Sequence, residues 1–127
     1  MAAVIEVDER GFNEAIAGPR PVLVDFSAAW CGPCRAMAPA LEAFAAERTG
    51  DLAVVKVDID AAPAVATRFG VRPVPMLVLF QHGKPVALHA GMLSETQLGA
   101  FFDRHLPARE RRVVEQDPNR PQVNLDW

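Results

Sequence analysis

Val22-Leu23-Val24-Asp25-Phe26-Ser27-Ala28-Ala29-Trp30-Cys31-Gly32-Pro33-Cys34 is the segment on which the rest of the chain is read. Its first half, Val22 to Phe26, is an apolar run broken by one acid, Asp25. Such runs suit strands covered on both faces of a mainly parallel sheet. Its second half closes on a Cys-X-X-Cys pair, and the chain has no other cysteine. Two cysteines three apart cannot build the disulfide framework of a small secreted domain. Beyond them Met37, Leu41, Phe44 and Ala45 recur at helical spacing, up to Thr49-Gly50. The pair therefore lies between a buried strand and a helix start. Unpaired backbone N–H groups and the helix dipole favour an anion there, which favours the Cys31 thiolate. Only a thiolate attacks a disulfide. Pro33 suits a first helical turn, and the two intervening residues let the Cys34 sulfur swing onto that of Cys31.

Ala3 to Val7 reads as a strand. Asp8 then caps a helix through about Ala17, with Val7 and Phe12 as a hydrophobic staple. Pro39 lies inside the helix after the cysteines and predicts a kink. Ala53 to Ile59 is the next strand, and Asp60 is expected to cap a short helix with Val65 and Phe69 inward and Gly70 at its end. Arg72-Pro73-Val74-Pro75 is a stiff loop. Met76 to Phe80 and Val86 to Ala90 are strands around a hairpin signal, Gln81-His82-Gly83-Lys84. Ser94 with Gln97 forms a capping box, Leu93 with Leu98 a staple, and Leu98, Phe101, Phe102 and Leu106 one apolar stripe. The order βαβαβα followed by ββα predicts an α/β fold. Its central mixed sheet is parallel in its first part and antiparallel in its last, flanked by helices on both faces.

Length and composition set the outer bounds. A chain of 127 residues makes one domain, expected over residues 1–106. At 50% hydrophobic and 23% charged it has the balance of a folded protein. Residues 107–127 differ, with four arginines, four acids, three prolines and few apolar side chains. They are expected to form a flexible tail outside the domain core. The net charge of −3 leaves no basic excess for phosphate contacts, so no nucleic-acid partner is expected. No apolar run approaches the roughly 18–20 residues of a membrane span. Residues 1–10 have neither the basic start nor the apolar core of an export signal, so the expected location is cytoplasmic. A monomer is expected. Zinc usually takes four ligands, and the further candidates, His82, His89 and His105, have no regular spacing; no metal is expected.

The quoted segment is similar to the active-site segment of the thioredoxin family, VDFxAxWCGPC. Further positions agree in register: Pro39, Lys56 within Val-Val-Lys-Val-Asp-Ile-Asp, Val74-Pro75 in the place of the family's cis-proline, Gly83 and Gly91. The resemblance covers about residues 3–106. It implies the thioredoxin fold and a thiol-disulfide oxidoreductase that reduces protein disulfides through Cys31 and Cys34. It implies no bound cofactor, disulfide-containing proteins as substrates, and regeneration by an NADPH-dependent thioredoxin reductase. Asp25 becomes the proton acceptor and donor for Cys34, with Lys56 close to it. Trp30, Gly32, Pro33, Val74, Pro75 and Gly91 become the substrate-binding surface. The Gly32-Pro33 pair is the one found in reducing members.

Each position also has a plainer reading. Asp25 could face solvent, but its apolar neighbours favour burial, which raises a carboxyl pKa. Lys56 could be an ordinary strand lysine with its stem on apolar surface. Trp30 could be a core tryptophan rather than a shoulder beside Cys31. From sequence alone the bond before Pro75 would be trans; the resemblance implies cis. Ser27, Pro73 and Met76 depart from the family's usual tryptophan, glycine and threonine. Met76 is expected beside the site, altering substrate fit. Two alternatives to a general reductase remain: an oxidoreductase dedicated to one partner, and a thioredoxin-fold binding module whose tail recruits a partner.

Overall fold

In the computed structural model, which describes residues 3–106, the apolar run becomes the central strand β2, Val22–Ser27, buried along its whole length. Before it come β1, Val4–Glu6, and α1, Glu9–Ile16. After it come α2, Gly32–Glu47; β3, Ala53–Asp58; α3, Pro63–Arg68; β4, Met76–Gln81; β5, Lys84–Ala90; and α4, Glu95–His105. The strand order is β1-β3-β2-β4-β5. β3 pairs parallel with β1 and β2, while β4 runs antiparallel to both β2 and β5. The expected tail, 107–127, lies outside the described residues.

Alternation along β2 sends its side chains to two cores. Leu23 joins Met37, Leu41 and Phe44 of α2 and Leu98, Phe101 and Phe102 of α4. Val22, Val24 and Phe26 join Phe12 and Ile16 of α1 and Val65 of α3. Asp25 has the parity of Leu23 and so falls on the α2 face. The burial of both faces explains why β2 lacks a polar/apolar alternation in sequence.

Local signals set most element boundaries. The Asp8 carboxylate accepts from the Arg10 and Gly11 N–H groups, both at 3.0 Å. Ser94 and Gln97 complete a reciprocal capping box at 3.1 and 2.9 Å. His82 and Gly83 have φ of 55° and 78°, the two positive values that a two-residue primed hairpin turn needs. α2 runs unbroken through Pro39 and ends at Glu47, before Thr49-Gly50. There Arg48 bonds both Asp103 oxygens at 3.0 and 3.1 Å and tethers α2 to α4.

One cap differs from expectation. The N-cap of α3 is Ala62, with no side-chain bond. Asp58 instead accepts from the Asp60 and Ala61 N–H groups at 2.8 and 3.4 Å and shapes the turn at the end of β3. Pro63 at the helix start lacks one of the donors that a cap would satisfy.

Candidate active site

β2 ends at Ser27, and the chain turns through Ala28 to the start of α2. The Cys31 N–H donates to the Ala28 carbonyl at 3.1 Å, closing that turn. Cys31 is the N-cap of α2, and its Sγ accepts the Cys34 N–H at 3.1 Å. A side-chain oxygen usually fills this role; here a sulfur does. The helix end therefore directs a backbone N–H and its dipole at the Cys31 sulfur. Cys31 and Cys34 are joined in a disulfide, with Cα atoms 5.3 Å apart.

The disulfide packs against Ala28, Ile59 and Val74. In this oxidised state Cys31 is as buried as Cys34, at 3% and 5% exposed. Ile59 and Val74 pack against the pair, and the disulfide form shows no contrast in exposure between the two cysteines. The Val74–Pro75 bond is cis, as the resemblance implies. It brings the Val74 carbonyl oxygen to 3.6 Å from the Cys31 Sγ. Gly91, at φ 109°, donates its N–H to the Pro75 carbonyl at 2.9 Å and holds this loop. β4 starts only at Met76, so Val74 lies beyond the sheet ladder. Met76 itself turns to the core of α1 and α3 and is 8% exposed. It is a core residue there, not the neighbour of the disulfide that its position in sequence suggests.

Trp30 is 65% exposed beside Cys31, which excludes the core reading. Its Nε1–H donates to the Asp60 carboxylate at 2.9 Å and fixes the ring. Asp60 thus serves the site rather than α3, a role invisible in the sequence because the partners are thirty positions apart. Gly32 and Pro33 are exposed at the helix start. Arg35 donates from its guanidinium to the Ala29 carbonyl, bracing the same turn. Ala28, Ile59 and Asp60 are the site neighbours that sequence reasoning missed. They are short or common side chains whose place emerges only from the packing of two loops.

Asp25 is 2% exposed, and its Oδ1 has no hydrogen-bond partner. It borders a cavity of about 210 Å³ with Val4, Glu6, Ala38, Leu41, Glu42 and Lys56. That volume admits water. Ala38 follows Cys34 by one helical turn, so the cavity runs under the face of α2 that carries the second cysteine. Lys56 stands opposite Asp25 in the β2–β3 register. Burial pushes the Asp25 carboxyl up to about 6, against the opposing pull of the Lys56 ammonium. Among the described residues no group of three or more His, Cys, Asp or Glu is placed to hold a metal ion, and no helix is long and apolar enough to cross a membrane.

The thioredoxin family model matches residues 3–104. The chain belongs to the thioredoxin family. A thioredoxin of Alicyclobacillus acidocaldarius is 44% identical over 98 residues, 77% of this chain and 93% of that one. A thioredoxin of Haemophilus influenzae is 37% identical over 107 residues, 84% of this chain and all of the relative. One of Mycobacterium tuberculosis is 43% identical over 98 residues, covering 76% and 84%. As a thioredoxin carrying the Cys31–Cys34 disulfide, the protein is a thiol-disulfide oxidoreductase with protein-disulfide reductase activity. Its redox group is this disulfide, part of the chain itself.

Proposed function

We propose that the chain is a general reductase of protein disulfides, with Cys31 as nucleophile and Cys34 as resolving thiol. The observation that carries this reading is the Cys31 sulfur at the N-cap of α2, accepting the Cys34 N–H at 3.1 Å. That position favours the thiolate at Cys31 once the pair is reduced. The Cys31 thiolate attacks one sulfur of the target disulfide. A mixed disulfide forms, and the other target sulfur leaves as a thiolate that takes a proton. The Asp25 carboxylate then accepts the Cys34 proton through water in the adjoining cavity. Cys34 attacks the Cys31 sulfur, the second target thiolate leaves, and Cys31–Cys34 is oxidised as the target gains two electrons. Lys56 moderates the proton affinity of Asp25 from across the strand.

Substrate binding follows from the groups around the disulfide. An extended target segment pairs with the backbone at Val74 as a short added strand. Trp30 gives it a flat apolar shoulder, cis-Pro75 and Gly91 set the loop, and Gly32 and Pro33 leave the approach to Cys31 open. An NADPH-dependent thioredoxin reductase restores the dithiol, and the protein works as a cytoplasmic monomer with no bound cofactor or metal.

Reduction of insulin by the protein with NADPH and a thioredoxin reductase tests this reading. Rapid NADPH consumption and insulin precipitation are expected. Absence of turnover would favour a protein dedicated to one partner, or a binding module.

A further inference from the structure

The register of the sheet sets three ionisable residues in one row. Glu6 of β1 stands opposite Lys56 of β3, and Lys56 stands opposite Asp25 of β2. Partners across a ladder point to the same face. Two residues earlier, Val4, Val54 and Leu23 form the parallel row, and all three pack into the core under α2. Glu6, Lys56 and Asp25 accordingly line one cavity. Along the row burial rises from the exposed Glu6 through the half-buried Lys56 to the buried Asp25.

The other groups facing Asp25 are few. α2 contributes Glu42, whose carboxylate is engaged by the Ala3 N–H at 2.5 Å and the Val4 N–H at 3.3–3.4 Å. It also carries Cys34 one turn before Ala38. β4 sets the uncharged Leu77 opposite Asp25. Lys56 is therefore the cation of the cavity, with a carboxylate on either side.

We propose that Glu6 is a positioning residue that competes with Asp25 for the Lys56 ammonium and so sets how readily Asp25 takes up a proton. The lysine stem is flexible and its ammonium is a compact charge that can lean either way along the row. Strands are about 4.8 Å apart, so Glu6 and Asp25 are separated by two steps, about 10 Å, which is close to the screening length at 0.1 M salt. Direct repulsion between the two carboxylates is weak at that range, and the lysine between them carries most of the coupling. The catalytic consequence rests on the proposed role of Asp25 as proton acceptor for Cys34.

The test is a pH titration of the Asp25 carboxyl carbon by NMR in the oxidised full-length protein. The wild type is compared with Glu6→Gln, Lys56→Met and the double variant. Glu6→Gln frees Lys56 for Asp25, which favours the carboxylate. The midpoint should fall by roughly 0.3–0.7 pH unit, the range expected for a partly exposed charge pair. In the Lys56→Met background the same substitution should leave the midpoint nearly unchanged. An unchanged or higher midpoint in Glu6→Gln alone would overturn the proposal, as would an equal fall in both backgrounds. The pH profile of disulfide reduction, run on the same proteins, separates the two readings. A midpoint that moves as expected while the profile stays fixed upholds the competition for Lys56 and removes Asp25 from the proton transfer.

Discussion

At the scale of the residue, the burial of Asp25 ties stability to pH. Its folded pKa of about 6 lies above the ordinary carboxylate value of 3.8. The folded state therefore holds this proton more tightly than the unfolded chain does. The penalty for ionising Asp25 is absent below about pH 4, grows as pH rises toward 6, and stays in full above that, at about 3 kcal/mol. Asp25→Ala removes the penalty and leaves a small cavity. The variant should be more stable than the wild type by about 1–3 kcal/mol at pH 7 and should lose that advantage below pH 4. Its disulfide exchange should slow by roughly tenfold or more as Cys34 loses its proton acceptor. Chemical denaturation across pH 3–9 beside stopped-flow reduction of a model disulfide checks both. Met76 makes a contrasting case. Its thioether is packed among Val24, Phe26 and Val78, so Met76→Thr deletes apolar volume and buries a hydroxyl. A loss of about 2 kcal/mol is expected with little change in kcat/KM, and a kinetic defect without a stability loss would return Met76 to the substrate surface.

At the scale of the element, legibility follows the range of the interaction. The Asp8 cap, the Ser94–Gln97 box and the His82-Gly83 turn use partners within four positions, and each is readable in the sequence. The Trp30–Asp60 bond and the packing of Ile59 and Val74 on the disulfide join loops far apart in the chain, and no local pattern carries them. Asp60 illustrates the failure directly: a helix-capping residue in sequence, it is claimed by a distant indole. Burial of Cys31 was likewise hidden, because it depends on the loop that cis-Pro75 shapes. The local devices should behave as stability elements remote from the chemistry. Ser94→Ala removes one half of the capping box and should lower stability by about 1 kcal/mol in a urea melt, with insulin reduction unchanged. An activity loss beyond the stability loss would mean that α4 does more than cover the sheet.

At the scale of the whole molecule, the βαβαβαββα order was legible because apolar runs, caps and turn residues agree along the chain. It is the sheet order β1-β3-β2-β4-β5 that then carries the end of β2, the start of α2 and the Val74–Pro75 loop to one place. That convergence is built by elements within the described residues 3–106. A chain ending at Leu106 is therefore expected to reduce insulin within about twofold of the full-length rate, and a larger loss would make the tail part of the working enzyme. In the proposed mechanism Cys31 attacks and Cys34 resolves. Its most direct measurement is trapping: Cys34→Ser and Cys31→Ser, each reduced and then mixed with a disulfide-bonded protein, are resolved on a non-reducing gel. Cys34→Ser should accumulate a covalent adduct through Cys31 that dithiothreitol releases, and Cys31→Ser should accumulate none. Adducts formed by Cys31→Ser and not by Cys34→Ser would contradict the account.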